Sequence, residues 1–208
     1  DKMKPLMERY YEANPDAPLR VKAIELLRHD KKPETGAPLC VFQVYGPDVP
    51  EPLPVMAEST PEGWKVDWLT FTEFKDKLLL EYLKKWQDNP GRFHVLLRRT
   101  HYFDEDVPDL DKKACFEVTS PVPGFQGFTF VPKNSALAKE LDRTVTWDVS
   151  GVAAIVELQW KKKDRYQWVE ITSLPQYNWR NTIAEAPSTP PKARPVEQPA
   201  KPKAVAKE

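Results

Sequence analysis

The chain has 208 residues, with 31 basic and 31 acidic side chains, so its formal net charge is zero. Because no overall field draws such a chain toward nucleic acid or anionic lipid, we do not expect nucleic acid as a partner. Only seven residues are glycine, and the sequence contains no P-loop, no G-x-G-x-x-G and no G-x-S-x-G motif. No stretch approaches the roughly 18 apolar residues that span a bilayer.

The first third of the chain predicts a helix followed by an antiparallel meander of four strands. The helix lies in "KMKPLMERYYEANP", where apolar residues recur at helical spacing. Strands are predicted in "LRVKAIELLRHD", which by propensity also suits a helix, and then in "LCVFQVYG", "PLPVMAEST" and "GWKVDW". Prolines at positions 47, 50, 52 and 54 punctuate the connection before the third strand, and we expect them at an edge or outside the ladder.

The second part of the chain opens with its strongest helical pattern, "LTFTEFKDKLLLEYLKKW", in which Thr70 and Glu73 match a capping box. Strands are predicted at 92–103, 113–119 and 125–131, followed by a short helix from Ser135 to about Leu141. Two last strands, at 151–161 and 165–173, form a hairpin across "KKKDR". The sequence therefore predicts an α+β protein with two antiparallel lobes, residues 1–68 and 69–180.

The composition changes at the C-terminus, and we predict a disordered Pro/Lys-rich tail over residues 181–208. From Pro187 onward there are six prolines, no aromatic residues, five basic and two acidic residues. Such a segment cannot bury enough apolar surface to order itself. Its net charge is +3, which leaves −3 on the rest of the neutral chain. A short proline-motif ligand for a partner is the alternative interpretation of this segment.

Neither the cysteines nor the histidines indicate a metal site, and we predict no metal and no cofactor. Cys40 and Cys115 lie in apolar runs that favour buried thiols, while a disulfide stays open if the compartment is oxidising. His94 and His101 are seven residues apart on one predicted strand, which places them on opposite faces and about 23 Å apart. The acidic run "DEDVPDLD" lacks the central glycine and closing glutamate of a calcium loop.

Three residues are candidates for ligand binding, and no residue is a candidate for catalysis. Arg99 and His101 interrupt the apolar face of the predicted strand 92–103. Three explanations are open: the strand leaves the core after Leu97, a bulge swaps its faces near Arg98, or the two side chains line a polar pocket. Asp67, in "GWKVDW", is a conceivable acid–base group, although it also suits the outer side of a strand.

The segments "MKPLMERYYEANPDAPLRVKAIELL", "GWKVDWLTFTEF", "FHVLLRRTHYF" and "YQWVEIT" resemble a family of uncharacterised bacterial proteins. Members of that family have a short N-terminal membrane anchor, an NTF2-like domain and an additional α+β segment. The resemblance covers roughly residues 2 to 180 and implies that residues 1–68 supply the last helix and the meander of an NTF2-like fold. It also implies a bacterial membrane anchor upstream of this chain, and it transfers no catalytic residue.

Together these observations predict a non-enzymatic binding or scaffolding module, tethered at a bacterial membrane in the full-length protein, whose partner is a protein or a small molecule. Two alternatives remain: a small-molecule-binding or isomerase-like NTF2 pocket in the first lobe, and partner binding through the proline-rich tail. A closed apolar pocket that holds a buried acid or histidine would favour the pocket. An open hydrophobic surface would favour scaffolding.

Overall fold

The computed structural model describes residues 4–15, 19–31, 37–145, 147, 151–177 and 179. The predicted disordered tail, 181–208, lies outside these described residues. The predicted α+β class is confirmed. The elements, in chain order, are α1 (Lys4–Ala13), β1 (Ala23–Asp30), β2 (Leu39–Gly46), β3 (Val49–Thr60), β4 (Gly63–Val66), α2 (Trp68–Lys75), α3 (Leu78–Lys84), β5 (Gly91–Arg99), the 3₁₀ turn Leu110–Lys112, β6 (Lys113–Thr119), β7 (Gln126–Pro132), α4 (Ala136–Thr144), β8 (Val152–Lys163) and β9 (Tyr166–Tyr177).

The first four strands form an antiparallel sheet in sequential order, β1-β2-β3-β4, which we call the meander sheet. The third strand begins at Val49, three residues before the predicted segment "PLPVMAEST", and it includes the prolines at 50, 52 and 54. β4 pairs only with Ala57–Thr60. The prolines therefore lie where β3 has β2 on one side and no β4 on the other, and an edge of this kind is where a strand tolerates proline.

The last five strands form a closed barrel in the order β5-β6-β7-β9-β8. All pairs are antiparallel except β7 and β9, which are parallel, with Phe130 opposite Glu170. β5 closes the barrel by pairing with both β6 and β8, and α4 connects β7 to β8. A five-stranded barrel with this order, and with a helix between its third and fourth strands, has the topology of the OB fold.

The main core fills the barrel. Strand residues that alternate along β5, β6 and β8 point inward and are buried, such as Val95, Phe116 and Val156, each 0% exposed. α3 closes one side of this core, because the Tyr82 hydroxyl donates to the Leu158 carbonyl at 2.8 Å and the Trp160 indole donates to the Tyr82 carbonyl at 3.0 Å. The period-2 pattern is clear in β5, where Phe93, Val95 and Leu97 are buried and the residues between them are half-buried.

A smaller cluster joins the meander sheet to the barrel. Leu53 of β3, Phe74 of α2 and Val122 of the β6–β7 loop are all buried and pack together. Beyond the end of β9, Trp179 packs against the buried side chains of the meander sheet and donates from its indole nitrogen to the Val95 carbonyl of β5 at 3.2 Å. The sheet and the barrel are therefore held by shared apolar contacts rather than by the covalent connection alone.

The predicted long helix is wrong, because it is divided into α2 and α3. Lys77, between them, has a left-handed backbone with φ of 52°. The predicted capping box is wrong as well: Asp67, and not Thr70, is the N-cap of α2, and it accepts from the Thr70 backbone nitrogen at 3.2 Å. None of the helices within the described ranges is long and apolar enough to cross a membrane.

Candidate functional site

The three predicted ligand-binding residues do not lie together in one site. Asp67 begins α2, where its carboxylate accepts from the Thr70 hydroxyl at 2.7 Å in addition to the backbone nitrogen. Its oxygens therefore stabilise the helix N-terminus. Arg99 and His101 lie at the end of β5 and in the loop that follows, on the barrel. The sequence prediction of a ligand site at these residues stays a prediction.

Arg99 faces the barrel side of β5, and its side chain is only 15% exposed. The guanidinium is 4.9 Å from the ring centre of Phe116 and 5.4 Å from that of Trp147, and it forms an ion pair with Asp142 of α4. The pairings of β5 run in register without a bulge. β5 therefore ends at Arg99, two residues beyond Leu97 and short of the predicted Phe103, and Arg99 covers one end of the barrel with its aliphatic and planar surfaces.

His101 lies beyond the strand and is exposed. Its ring stacks on Trp147, with centroids 4.5 Å apart and 28° between the planes. Phe103 continues the row at 5.9 Å from His101, and its side chain is 85% exposed. Three rings thus form an uncovered aromatic row at the end of the barrel where Arg99 lies.

A buried hydrogen-bond network, which sequence reasoning missed, connects α2 to β5. Glu73 accepts from the His94 backbone nitrogen and pairs with His94 Nδ1, both at 2.7 Å. His94 Nε2 lies 3.5 Å from the Thr70 hydroxyl, which itself donates to Asp67. The Glu73 and His94 side chains are 10% and 16% exposed. The only sequence signal was the Thr70–Glu73 spacing, which suited a helix cap equally well.

The order hydroxyl, histidine, carboxylate in this network is also the order of a hydrolytic triad, but the geometry favours a structural role. Thr70 is 1% exposed and donates its hydroxyl proton to Asp67 rather than to His94. The 3.5 Å separation between the Thr70 oxygen and His94 Nε2 is beyond the usual range for a nucleophile and its base. We therefore read the network as a polar link that fixes α2 on the barrel.

The outer face of β6 and β7 is the surface on which OB-fold barrels bind their ligands, and in this chain a loop of the same barrel covers it. The loop 100–112 places Tyr102, Val107 and Leu110 over Cys115 and Phe130. Burial raises the pKa of the Cys115 thiol to about 12, so this thiol stays protonated and is a poor nucleophile. Cys40 is buried too, and both cysteines are free.

An open groove of about 940 Å³ lies at the meander sheet. Met7 and Tyr11 of α1 line it together with residues at the start of α2. The apolar lining residues are Met7, Tyr11, Leu19, Val21, Val44, Val55, Val66, Trp68, Leu69 and Phe71. The polar lining residues are Glu58, Thr60, Lys65 and Asp67.

Several apolar side chains at this groove are uncovered. Leu69 is 54% exposed, Val66 52%, Val21 50% and Tyr11 45%. α1 buries none of its residues, and Tyr10 fixes it to α2 by a hydrogen bond to Asp76 at 2.8 Å and an edge-to-face contact with Trp68 at 5.4 Å. The groove is therefore lined by an amphipathic helix, the start of a second helix and the meander sheet, and all three contribute apolar side chains.

No group of His, Cys, Asp and Glu within the described residues is arranged to hold a metal ion. The acidic run that resembled a calcium loop lies on the barrel surface, where Asp109 pairs with Lys163 at 3.0 Å and Asp106 accepts from the Tyr102 hydroxyl at 2.7 Å. That hydrogen bond, together with the larger effect of burial, raises the pKa of Tyr102.

The fold and its surface define this chain as an α+β protein. Its meander sheet carries an open apolar groove and is joined to a five-stranded barrel with the topology of the OB fold. Comparison of the chain with protein-family models, with curated proteins and with solved structures found no match.

Proposed function

We propose that this chain is a non-enzymatic binding module and that the groove of the meander sheet is its binding surface for an apolar polypeptide segment. The observation that supports this most directly is the set of exposed apolar side chains that line the groove. Contiguous exposed apolar surface rimmed by polar residues is characteristic of protein interaction sites.

The shape of the groove favours a polypeptide over a small metabolite. It is open along its length, whereas small-molecule sites enclose most of the ligand surface. Of its polar lining residues, Asp67 is already hydrogen-bonded within α2. An amphipathic helix laid in the groove would cover the uncovered aliphatic side chains, as helix-in-groove recognition does elsewhere.

The edge strand beside the groove adds to the same surface. All residues of β1 except the last are exposed, and the side chains of Ile24, Leu26 and Leu27 are 62%, 52% and 51% exposed. A long apolar edge strand invites pairing with another chain unless it is covered. We propose that the partner extends onto β1.

The family resemblance extends the proposal to location: a segment upstream of this chain would hold the module at a bacterial membrane. A fractionation of the full-length protein tests this part by itself, because release into the soluble fraction without detergent would contradict the anchor. The groove proposal does not depend on that result.

Site-specific photo-crosslinking tests the groove. A photoreactive residue at Leu69 should give defined adducts of polypeptide mass in the native cell, while one at the exposed Lys162 of the barrel should not. Adding Val66→Asp should abolish the Leu69 adducts, since a charge on the groove wall is costly to desolvate. Adducts of small-molecule mass would instead support the NTF2-like pocket, and equal adducts from both positions would contradict a specific groove.

A further inference from the structure

The row of rings Trp147–His101–Phe103 and the acidic residues that follow it, Asp104 to Asp106, form one surface that we call the aromatic–acidic patch. The Trp147 and His101 rings are stacked with 28° between their planes, and the Phe103 ring is tilted by 31° from that of His101. Trp147 and Phe103 are 53% and 85% exposed. Arg99 supports the row from below, 5.4 Å from the Trp147 ring.

The charge on this patch is negative and unbalanced. Asp104, Glu105 and Asp106 are exposed, and none of them forms an ion pair with a residue that the structure describes. The lysines nearest in sequence, Lys112 and Lys113, are engaged elsewhere: Lys112 pairs with Asp109, and Lys113 lies over the Trp168 ring at 5.0 Å. A ligand for the patch should therefore present flat apolar surface together with positive charge.

The C-terminal segment of this same chain has that chemistry. Residues 199–203 read "PAKPK", a P-x-x-P spacing with two lysines. In a polyproline helix of three residues per turn, the two prolines of such a spacing share one face. Proline rings pack well on aromatic side chains, which is the basis of polyproline recognition, and the lysines would meet the carboxylates.

We propose that residues 199–203 dock in cis on the aromatic–acidic patch. The last described residue is Trp179, whose indole nitrogen donates to the Val95 carbonyl of β5. Six residues separate Val95 from His101, at most about 20 Å at strand rise. Twenty residues separate Trp179 from Pro199 and span up to about 60 Å in an extended polyproline conformation, so the segment reaches the patch without strain.

Paramagnetic relaxation in the full chain tests the proposal. A spin label is attached to a cysteine at position 204 (Ala204→Cys), next to the segment, while the native Cys40 and Cys115 are buried, at 7% and 6% exposed. The indole N–H signal of Trp147 should broaden strongly. The indole of Trp64, which is equally exposed at 51% but lies on the meander sheet, should not. Trp147→Phe assigns the first signal and Trp64→Phe the second.

Matched variants show which side chains of the segment and of the patch the docking depends on. The pair Lys201→Glu and Lys203→Glu should abolish the Trp147 broadening, as should Pro199→Ala with Pro202→Ala. Glu197→Lys with Glu208→Lys should strengthen it. On the patch, Phe103→Ala should weaken it, and because this side chain is 85% exposed the fold is not at risk.

Two outcomes would overturn the proposal. Broadening that is spread evenly over the indole signals, or that is strongest at the groove, would show that the segment does not prefer the patch. Broadening that appears only in mixtures of isotope-labelled chains with spin-labelled unlabelled chains would show docking on a second copy instead of in cis.

Discussion

At the scale of single residues, Glu73 contributes more to the stability of the fold than its place on a surface helix suggests. It is 8% exposed and satisfies two donors of His94, the backbone nitrogen and the ring. Glu73→Ala leaves both donors buried without an acceptor. We expect a loss of about 2–4 kcal/mol in the free energy of unfolding, measured by urea denaturation.

Glu73→Gln is the matched control for that substitution. The amide oxygen can still accept from the His94 backbone nitrogen, and the neutral imidazole can present its unprotonated nitrogen to the amide group. We expect the Gln variant to lose less than half as much stability as the Ala variant. Equal losses for the two variants would mean that packing, and not hydrogen bonding, holds α2 on the barrel.

Asp48 makes a pH-dependent contribution to the stability of the fold. Its hydrogen bonds with Arg20 determine whether that contribution rises or falls with pH. Hydrogen bonds from the Arg20 guanidinium and backbone lower the pKa of Asp48 from 3.8 to about 2 in the folded chain. Because the folded-state pKa is below the unfolded one, the stabilisation is complete above about pH 4 and is lost as the pH falls toward 2.

Acid unfolding checks this contribution. Between pH 5 and 2, the midpoint of unfolding should fall less steeply in Asp48→Asn than in the parent chain, because Asn does not titrate. The two chains should converge at the acid end, where Asp48 is protonated in the parent. A parallel fall in both would contradict the role of the Arg20–Asp48 pair.

At the scale of elements, substitution of Lys77, the left-handed residue between α2 and α3, tests the break between the two helices. The change in the free energy of unfolding has opposite signs for two separate helices and for one continuous helix. If the chain bends at Lys77 with φ of 52°, Lys77→Gly removes a backbone strain and should raise the free energy of unfolding by about 0.5–1 kcal/mol. In a continuous helix the same change would lower it by about 1 kcal/mol.

Lys77→Ala separates the effect of the backbone from that of the side chain. The alanine loses the exposed contact with Glu51, 3.4 Å in length, and gains no relief from the left-handed conformation. Its stability should be equal to or below that of the parent chain. A Lys77→Ala variant more stable than Lys77→Gly in thermal unfolding would restore the continuous helix that the sequence pattern predicts.

The elements also show what the sequence can and cannot predict. The inner face of β5 was predictable because the alternating apolar residues Phe93, Val95 and Leu97 record which face is buried. The break at Lys77 was not, since lysine carries no preference for a left-handed backbone and both flanking segments are good helix formers. Likewise, the pairing of Glu73 with His94 depends on the docking of α2 on β5, which no local pattern encodes.

The candidate surfaces were harder to predict than the strands because their residues come together only through tertiary packing. Arg99 was recognised as an interruption of a core face, but its partners Asp142 and Trp147 come from the α4 region. Barrel closure depends on pairings between distant segments, such as β5 with β8. The groove lining comes from α1, the meander sheet and α2, and its apolar residues look like ordinary core residues in the sequence.

At the scale of the whole molecule, the coupling between the meander sheet and the barrel rests on few buried contacts. Phe74 lies at their centre, 2% exposed, and packs with Leu53 and Val122. It also lies 6.1 Å from the rings of both His94 and Trp179. Removing it should weaken the attachment of the sheet more than the barrel itself, because the barrel core is formed by other residues.

Phe74→Ala should therefore unfold in two steps where the parent unfolds in one. We expect a loss of about 3–5 kcal/mol, with amide protection in β1–β4 lost at a lower urea concentration than protection in β5–β9, as measured by hydrogen exchange. Leu158→Ala, a substitution of a barrel residue that is 0% exposed, is the control and should lower protection in the barrel strands. If Phe74→Ala lowered protection in all strands at one urea concentration, the sheet and the barrel would form a single cooperative unit whose coupling does not depend on this contact.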